Sequence, residues 1–131
     1  LGDKALLNEV EPRVVDIAEA ATEGFLPGAG MLYEQHVDTA SIDADRHWWV
    51  QAETIVGYIN LYQHFDDKLS LSRALQCWEF VKRNLIDREN GEWYWSLRAD
   101  GSVNRNEDKA GFWKCPYHNG RMCMEIMERF V

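Results

Sequence analysis

The sequence contains no run of about 18 apolar residues, the length a helix needs to cross a bilayer, so no membrane span is expected. It shows no charged-then-apolar leader ending in small residues, and so no visible secretory signal, although it begins at Leu1 rather than Met. Basic residues are outnumbered: 14 Lys and Arg against 22 Asp and Glu give a net charge of −8. A surface of that sign repels phosphate backbones and argues against a nucleic-acid partner. Cysteines are few and odd in number. Cys77, Cys115 and Cys123 have no Cys-x-x-Cys spacing, which argues against a disulfide framework and for a reducing compartment, read here as the cytoplasm. There is no Gly-rich phosphate loop, no His-Glu-x-x-His and no Gly-x-Ser-x-Gly. His36 with Glu34 or Asp38 has no recognisable metal-ligand spacing, so no metal site is assigned.

What is present is a globular composition, 46% hydrophobic and 27% charged, of a length that fits one domain over residues 1–131. Aromatic residues are abundant, with six Trp, five Tyr and five Phe. Large flat rings with polar edges serve two purposes: they fill cores, and they line clefts that stack on sugar faces. Composition alone favours the core.

Hydrophobic periodicity predicts a largely helical chain. Asp3 to about Gly24 reads as helix, with Val10, Val14, Ile17, Ala18 and Ala21 on one face. Pro12 either kinks it or lies in the first turn of a helix that starts near Glu11. Gly24 and the Pro27–Gly30 stretch stop it. A short extended piece near Met31–Gln35 precedes a loop. Asp45 is the expected N-cap of a second helix, Arg46–His64. Asp66-Asp67 ends it and caps a third, Lys68–Ile86, whose apolar stripe is Leu71, Ala74, Leu75, Trp78, Val81 and Leu85. Asp87-Arg88-Glu89-Asn90-Gly91 signals a turn, and Glu92–Leu97 before Asp100-Gly101 a small hairpin. Asn104–Lys114 reads as loop and Pro116–Phe130 as the last helix. The fold class expected is all-α, an array of helical hairpins with a small β-hairpin.

Four histidines are present, and imidazole is the usual general acid or base near neutral pH. His118 stands apart. The glycine- and aromatic-rich loop Gly111-Phe112-Trp113-Lys114-Cys115-Pro116-Tyr117 delivers it to a helix start, where the partial positive charge of the helix end favours an uncharged ring. Trp113 on that approach can stack on a sugar, or it can simply pack with Tyr117 under the domain. Trp49 and Glu53, four apart, share a helix face. A ring beside a carboxylate suits the C–H face and the hydroxyls of a sugar, but spacing alone fits a core Trp48–Trp49 pair and a solvated Glu53 at least as well. Glu92-Trp93-Tyr94-Trp95 reads as an aromatic hairpin packed on helices, Glu107-Asp108-Lys109 as a solvated charge run, Cys115 and Cys123 as buried or half-buried thiols, and Met122, Met124 and Met127 as core.

These segments carry a resemblance. His47-Trp48-Trp49-Val50-Gln51-Ala52-Glu53 resembles the Trp-Trp-x-Gln-Ala-Glu helix start of cellobiose 2-epimerases. Asp87-Arg88-Glu89-Asn90-Gly91-Glu92-Trp93 is similar to the family's Asp-Arg-x-x-Gly-Glu-Trp turn. The run from Asp108 through Lys114-Cys115-Pro116-Tyr117-His118-Asn119 is similar to its C-terminal signature, in a form nearer the cellobiose than the N-acylglucosamine branch. The resemblance to the N-acylglucosamine/cellobiose 2-epimerase family covers essentially the whole chain, more weakly before Asp45. It implies an (α/α)6 barrel and a cofactor-free reaction on a small-molecule sugar. One histidine removes the C2 proton, an enediolate forms, and a second histidine returns a proton to the opposite face. On this resemblance His118 matches one catalytic histidine, Trp113 the stacking tryptophan, and Trp49 and Glu53 the cleft wall. Trp48 and Asn119, inside the same motifs, join them as substrate-binding candidates.

The family's other histidine, in a Gly-His-Asp segment, falls upstream of residue 1. The chain is therefore expected to be the C-terminal portion of a barrel, inactive by itself, whose apolar faces either drive self-association into a homo-oligomer or mark a truncated or degraded piece. An N-acylglucosamine epimerase or an aldose–ketose isomerase would use the same enediolate. A glycoside hydrolase fragment would need two carboxylates, nominally Glu53 with Glu92 or Asp108. A non-catalytic sugar-binding module would need only the tryptophans.

Overall fold

The computed structural model describes residues 2–130. Helix α1 spans Lys4–Ala21 and is capped by Asp3, whose carboxylate accepts from the amides of Ala5 (3.0 Å) and Leu6 (3.1 Å). Pro12 lies inside the helix without ending it. No residue of α1 is buried, and Val10, Val14 and Ile17 of the expected stripe are exposed. Only Val15 and Ala18 pack against the core, so the helix lies on the domain by a narrow strip.

Two small hairpins follow. Strands β1 (Phe25–Leu26) and β2 (Gly30–Met31) pair antiparallel, and β3 (Glu34–Gln35) pairs with β4 (Ile42–Asp43), where the sequence suggested only loop after Gln35. Gly30 is required twice over. Its φ is +80°, and a Cβ would lie 2.6 Å from Gln51 Oε1 and 2.8 Å from a Phe80 ring carbon.

The second helix starts later than expected. Arg46–His47 form strand β5, and α2 spans Trp48–Phe65 with His47 at the N-cap. Asp45 is not the cap: its carboxylate accepts from the Ala99 amide at 3.0 Å. Strand β5 pairs with β6 (Ser96–Leu97), and the Trp48 amide donates to the Trp95 carbonyl at 3.0 Å, so a distant segment satisfies the first donor of the helix. The expected hairpin at Asp100-Gly101 forms, with the Arg98 amide donating to the Ser102 carbonyl and the Asn104 amide to the Ser96 carbonyl. β6 pairs with β5 on one side, while Leu97 bridges to Val103 on the other.

Helix α2 buries residues around most of its circumference, including Trp48, Gln51, Ala52, Ile55, Tyr58 and Ile59. That marks a central helix. The left-handed Asp66 ends it, and Asp67 caps α3 (Lys68–Asn84), accepting from the Leu69 amide and the Ser70 hydroxyl. The line α3 buries is Ser70, Ala74, Cys77 and Val81, with Phe80 beside it; Leu75 points outward. Cys77 Sγ lies 3.4 Å from Gln51 Oε1 and 3.7 Å from the Gln51 carbonyl, where α3 packs on α2. Helix α4 (Tyr117–Phe130) packs on another side of α2. Met122 is core, but Met124 and Met127 are exposed, as are Cys115 and Cys123: α4 is a surface helix that buries one narrow line. Among the described residues no helix is long and apolar enough to cross a membrane.

Candidate functional site

The turn at residues 87–92 forms as expected. Asp87 Oδ1 accepts from the amides of Glu89 (3.0 Å) and Asn90 (3.1 Å), an Asx turn, and Gly91 takes a positive φ. Lys109 reaches across to it, with Nζ 2.6 Å from Asp87 Oδ2 and 3.1 Å from the Gly91 carbonyl. Lys109 is therefore paired rather than solvated, while Glu107 and Asp108 remain exposed. Salt bridge and amide donors together hold the Asp87 carboxyl well below its ordinary range.

The loop after residue 104 delivers His118 to the first turn of α4. Its Nδ1 lies 2.7 Å from Glu53 Oε1, on the first half of α2. A carboxylate only accepts, so Nδ1 carries the hydrogen in the neutral ring and Nε2 keeps the lone pair. The ring stands edge-on to Trp48 (centroids 5.3 Å apart, planes at 74°) and tilted against Trp49 (5.8 Å, 41°), with Tyr117 at 4.9 Å. His118 and Glu53 are both half-buried.

The second oxygen of Glu53 accepts from Arg121, one helical turn beyond His118. Burial alone would raise the Glu53 carboxyl. The hydrogen bonds from Arg121 and His118 outweigh it and leave the group below its ordinary value, hence ionised at neutral pH. A ladder of alternating charge continues down α4, from Arg121 to Glu125 to Arg129, and Arg129 returns to Asn60 on α2. Sequence reasoning missed Arg121. Its signal was the four-residue spacing of Arg121, Glu125 and Arg129, which puts alternating charges on one face.

The structure brings together Trp49, Glu53 and His118, with Trp49 37% exposed. Trp48 is 2% exposed and lies behind His118. Asn119 is buried, and its Nδ2 donates to Glu92 Oε1 at 2.8 Å. Trp113 is 80% exposed and packs with Phe112 rather than under the domain. Glu92 is not half of a free carboxylate pair, since Lys114, Asn119 and the Trp93 amide all donate to it. Tyr33, also missed, stacks on His47 at 3.9 Å and meets Trp49 edge-on. Burial lowers the His47 imidazole, although three nearby carboxylates oppose the shift.

A profile of the family described as N-acylglucosamine 2-epimerase (GlcNAc 2-epimerase) matches residues 8–120, which include all of α2, the Asp87 turn and the His118 loop. This chain belongs to that family. The N-acylglucosamine 2-epimerase family chain is 60% identical over 127 residues to the cellobiose 2-epimerase of Bacteroides fragilis, covering 97% of this chain and 32% of the relative. It is 42% identical over 132 residues to the cellobiose 2-epimerase of Ruminococcus albus, covering 100% of this chain and 33% of that relative. The crystal structure of a sugar epimerase from a ruminal bacterium superposes with a TM-score of 0.91 at 38% identity, over 99% of this chain and 33% of the other. The chain thus spans about a third of the length of the relatives it matches. The solved relatives are (α/α)6 barrels, and the epimerase-family chain described here is part of such a barrel.

Proposed function

We propose that this chain is the C-terminal portion of a carbohydrate 2-epimerase that interconverts glucose- and mannose-type reducing ends, with a cellobiose-type disaccharide as substrate. The observation that carries the reading is the Glu53–His118 contact beside the exposed Trp49. Trp49 offers a face for the apolar C–H side of a sugar ring, and Trp113 offers another from the loop. Trp48 and Asn119, both buried, back His118 from the protein side.

In the open-chain sugar, His118 Nε2 takes the proton from C2. The C2–H electron pair becomes the C1–C2 double bond of an enediolate, and the carbonyl electrons move onto the C1 oxygen. A proton delivered to the opposite face of C2 completes epimerisation. Electrons stay within the sugar throughout, so acid–base groups are sufficient and no redox cofactor enters. Glu53 holds the tautomer with Nε2 free and stabilises the imidazolium that forms; Arg121 keeps Glu53 ionised while the proton comes and goes. The opposite-face donor is expected from residues outside this chain, as in the two-histidine scheme, so the chain alone is proposed to be inactive.

Return of the proton to C1 instead of C2 would make the same site an aldose–ketose isomerase. The identities to cellobiose 2-epimerases favour C2. Product analysis by NMR with the full-length protein and cellobiose tests the choice: a mannose-type reducing end supports epimerisation, a ketose overturns it. The three free cysteines fit a reducing, cytoplasmic setting.

An open apolar groove of about 850 Å³ runs between α1 and α2, lined by Val10, Val14, Ile17, Trp49, Leu61 and Phe65. Apolar surface on that scale calls for cover. We propose that this chain by itself buries the groove against a second copy.

A further inference from the structure

Lys114 is the most enclosed charged side chain described, 1% exposed at the foot of the loop that carries His118. A lysine is almost never fully buried without a partner, and apolar residues of similar volume often serve stability as well as a buried pair does. A cation placed there calls for a reason beyond filling space.

Its contacts supply one. Lys114 Nζ lies 3.0 Å from Glu92 Oε1 and 2.7 Å from the Lys109 carbonyl, and 4.7 Å from the centre of the Trp48 ring. The same Glu92 oxygen accepts from Asn119 Nδ2 at 2.8 Å. Glu92 itself takes φ of +62°, a left-handed conformation costly for a residue with a Cβ, and its carboxylate also accepts from the next amide at 2.8 Å. Two neighbours of His118 are thereby tied to one ion pair, its lysine buried and its carboxylate half-buried. Asn119 follows it on α4, and Trp48 meets its ring at 5.3 Å. Residues 104–116 form no helix or strand of their own, and Glu53, which accepts from His118 and Arg121, holds α4 only from the side of α2.

We infer that the pair of buried Lys114 and half-buried Glu92 is a positioning device for His118, acting through Asn119 and Trp48 and not through contact with substrate. The pair fixes the start of α4 by the Asn119 amide and fixes the plane of Trp48 by the cation on its ring. Its purpose rests on the proton-transfer role proposed above; its geometry does not. Burial pulls the Lys114 ammonium below its ordinary value while Glu92 opposes the change, in keeping with a charge held in a closed site.

The test compares Lys114→Met with the double variant Glu92→Gln/Lys114→Met, which leaves no unpaired buried charge, and with Asn119→Ala, which cuts only the link to α4. In this chain, the imidazole resonances of His118, identified by their loss in His118→Ala, are expected to shift or broaden in all three variants. Those of His36 and His64 stay in place. In the full-length protein, the double variant is expected to regain thermal stability yet lose on the order of 10-fold to 10²-fold in kcat, with KM within about twofold, as a misplaced catalytic group does. Wild-type His118 resonances in a folded double variant and in Asn119→Ala would overturn the inference, as would wild-type kcat. If the unaltered full-length protein does not epimerise cellobiose, the functional reading fails, and the resonances alone decide the positioning. If the double variant does not fold, Asn119→Ala decides.

Discussion

Glu53 Oε1 and His118 Nδ1 lie 2.7 Å apart although 65 positions separate the two residues in sequence. The contact joins the Trp-Trp-Val-Gln-Ala-Glu helix start to the His118 loop, and Arg121 secures its far side. Replacing Glu53 by Gln keeps the shape and removes the charge that holds the tautomer. In the full-length protein kcat is expected to fall by about 10²-fold, within the usual range for a general-base arrangement, with KM little changed. Steady-state kinetics on cellobiose check this; unaltered kcat would remove Glu53 from the mechanism.

The same pair predicts a pH signature in stability. The Glu53 carboxyl sits below its ordinary value of 4.5 in the folded chain, so its contribution is fully present above that value. It is lost as pH falls through the lower, folded-state value. The Tm gap between wild type and Glu53→Gln should therefore be widest near neutral pH and close on acidification. Thermal melts followed by circular dichroism from pH 7 to pH 3 measure it, and a gap independent of pH would contradict the ionised pairing.

Gly30→Ala should cost about 2–4 kcal/mol, because a left-handed φ and a clash with Gln51 and Phe80 act together. Urea denaturation of the two chains gives the difference; a loss below about 1 kcal/mol would mean the β1–β2 turn relaxes easily.

Thiol accessibility separates the cysteines. Cys115 and Cys123 are exposed, whereas Cys77 is buried and its thiol pushed up to about 12 by desolvation. A native chain treated with a disulfide reagent at pH 8 should release two equivalents, Cys123 more slowly because partial burial raises its thiol, and the third only in denaturant. Three equivalents in the native state would place Cys77 wrongly.

The α1–α2 groove predicts self-association. Sedimentation or light scattering at increasing concentration should show mass above that of the monomer, and Val14→Glu with Ile17→Glu should abolish it. A strictly monomeric wild type would leave the groove without its proposed occupant.

Local signals were readable in the sequence. Asp67 caps α3 and the Asp87–Gly91 run turns, because each depends on residues within one or two turns of one another. The misplaced boundary at Asp45 has a different cause. Arg46 and His47 are drawn into a strand by Ser96 and Leu97, a pairing that no local pattern encodes. The site divides in the same way. Trp49 and Glu53 on one face, and His118 at a helix start, were legible from spacing. That Glu53 would meet His118, that Arg121 would brace it and that Lys114 would be buried against Trp48 depended on partners far along the chain. The exposure of Met124, Met127 and Cys123 was hidden because apolar residues on a surface helix look like core until the packing direction is known.

The most direct measurement follows the C2 proton itself. Full-length protein is incubated with cellobiose in deuterium oxide and the reducing-end signals are followed by NMR. The account predicts deuterium at C2 together with a mannose-type reducing end, and loss of both in His118→Ala. Epimerisation that persists in a folded His118→Ala variant, or product formed without exchange at C2, would contradict it.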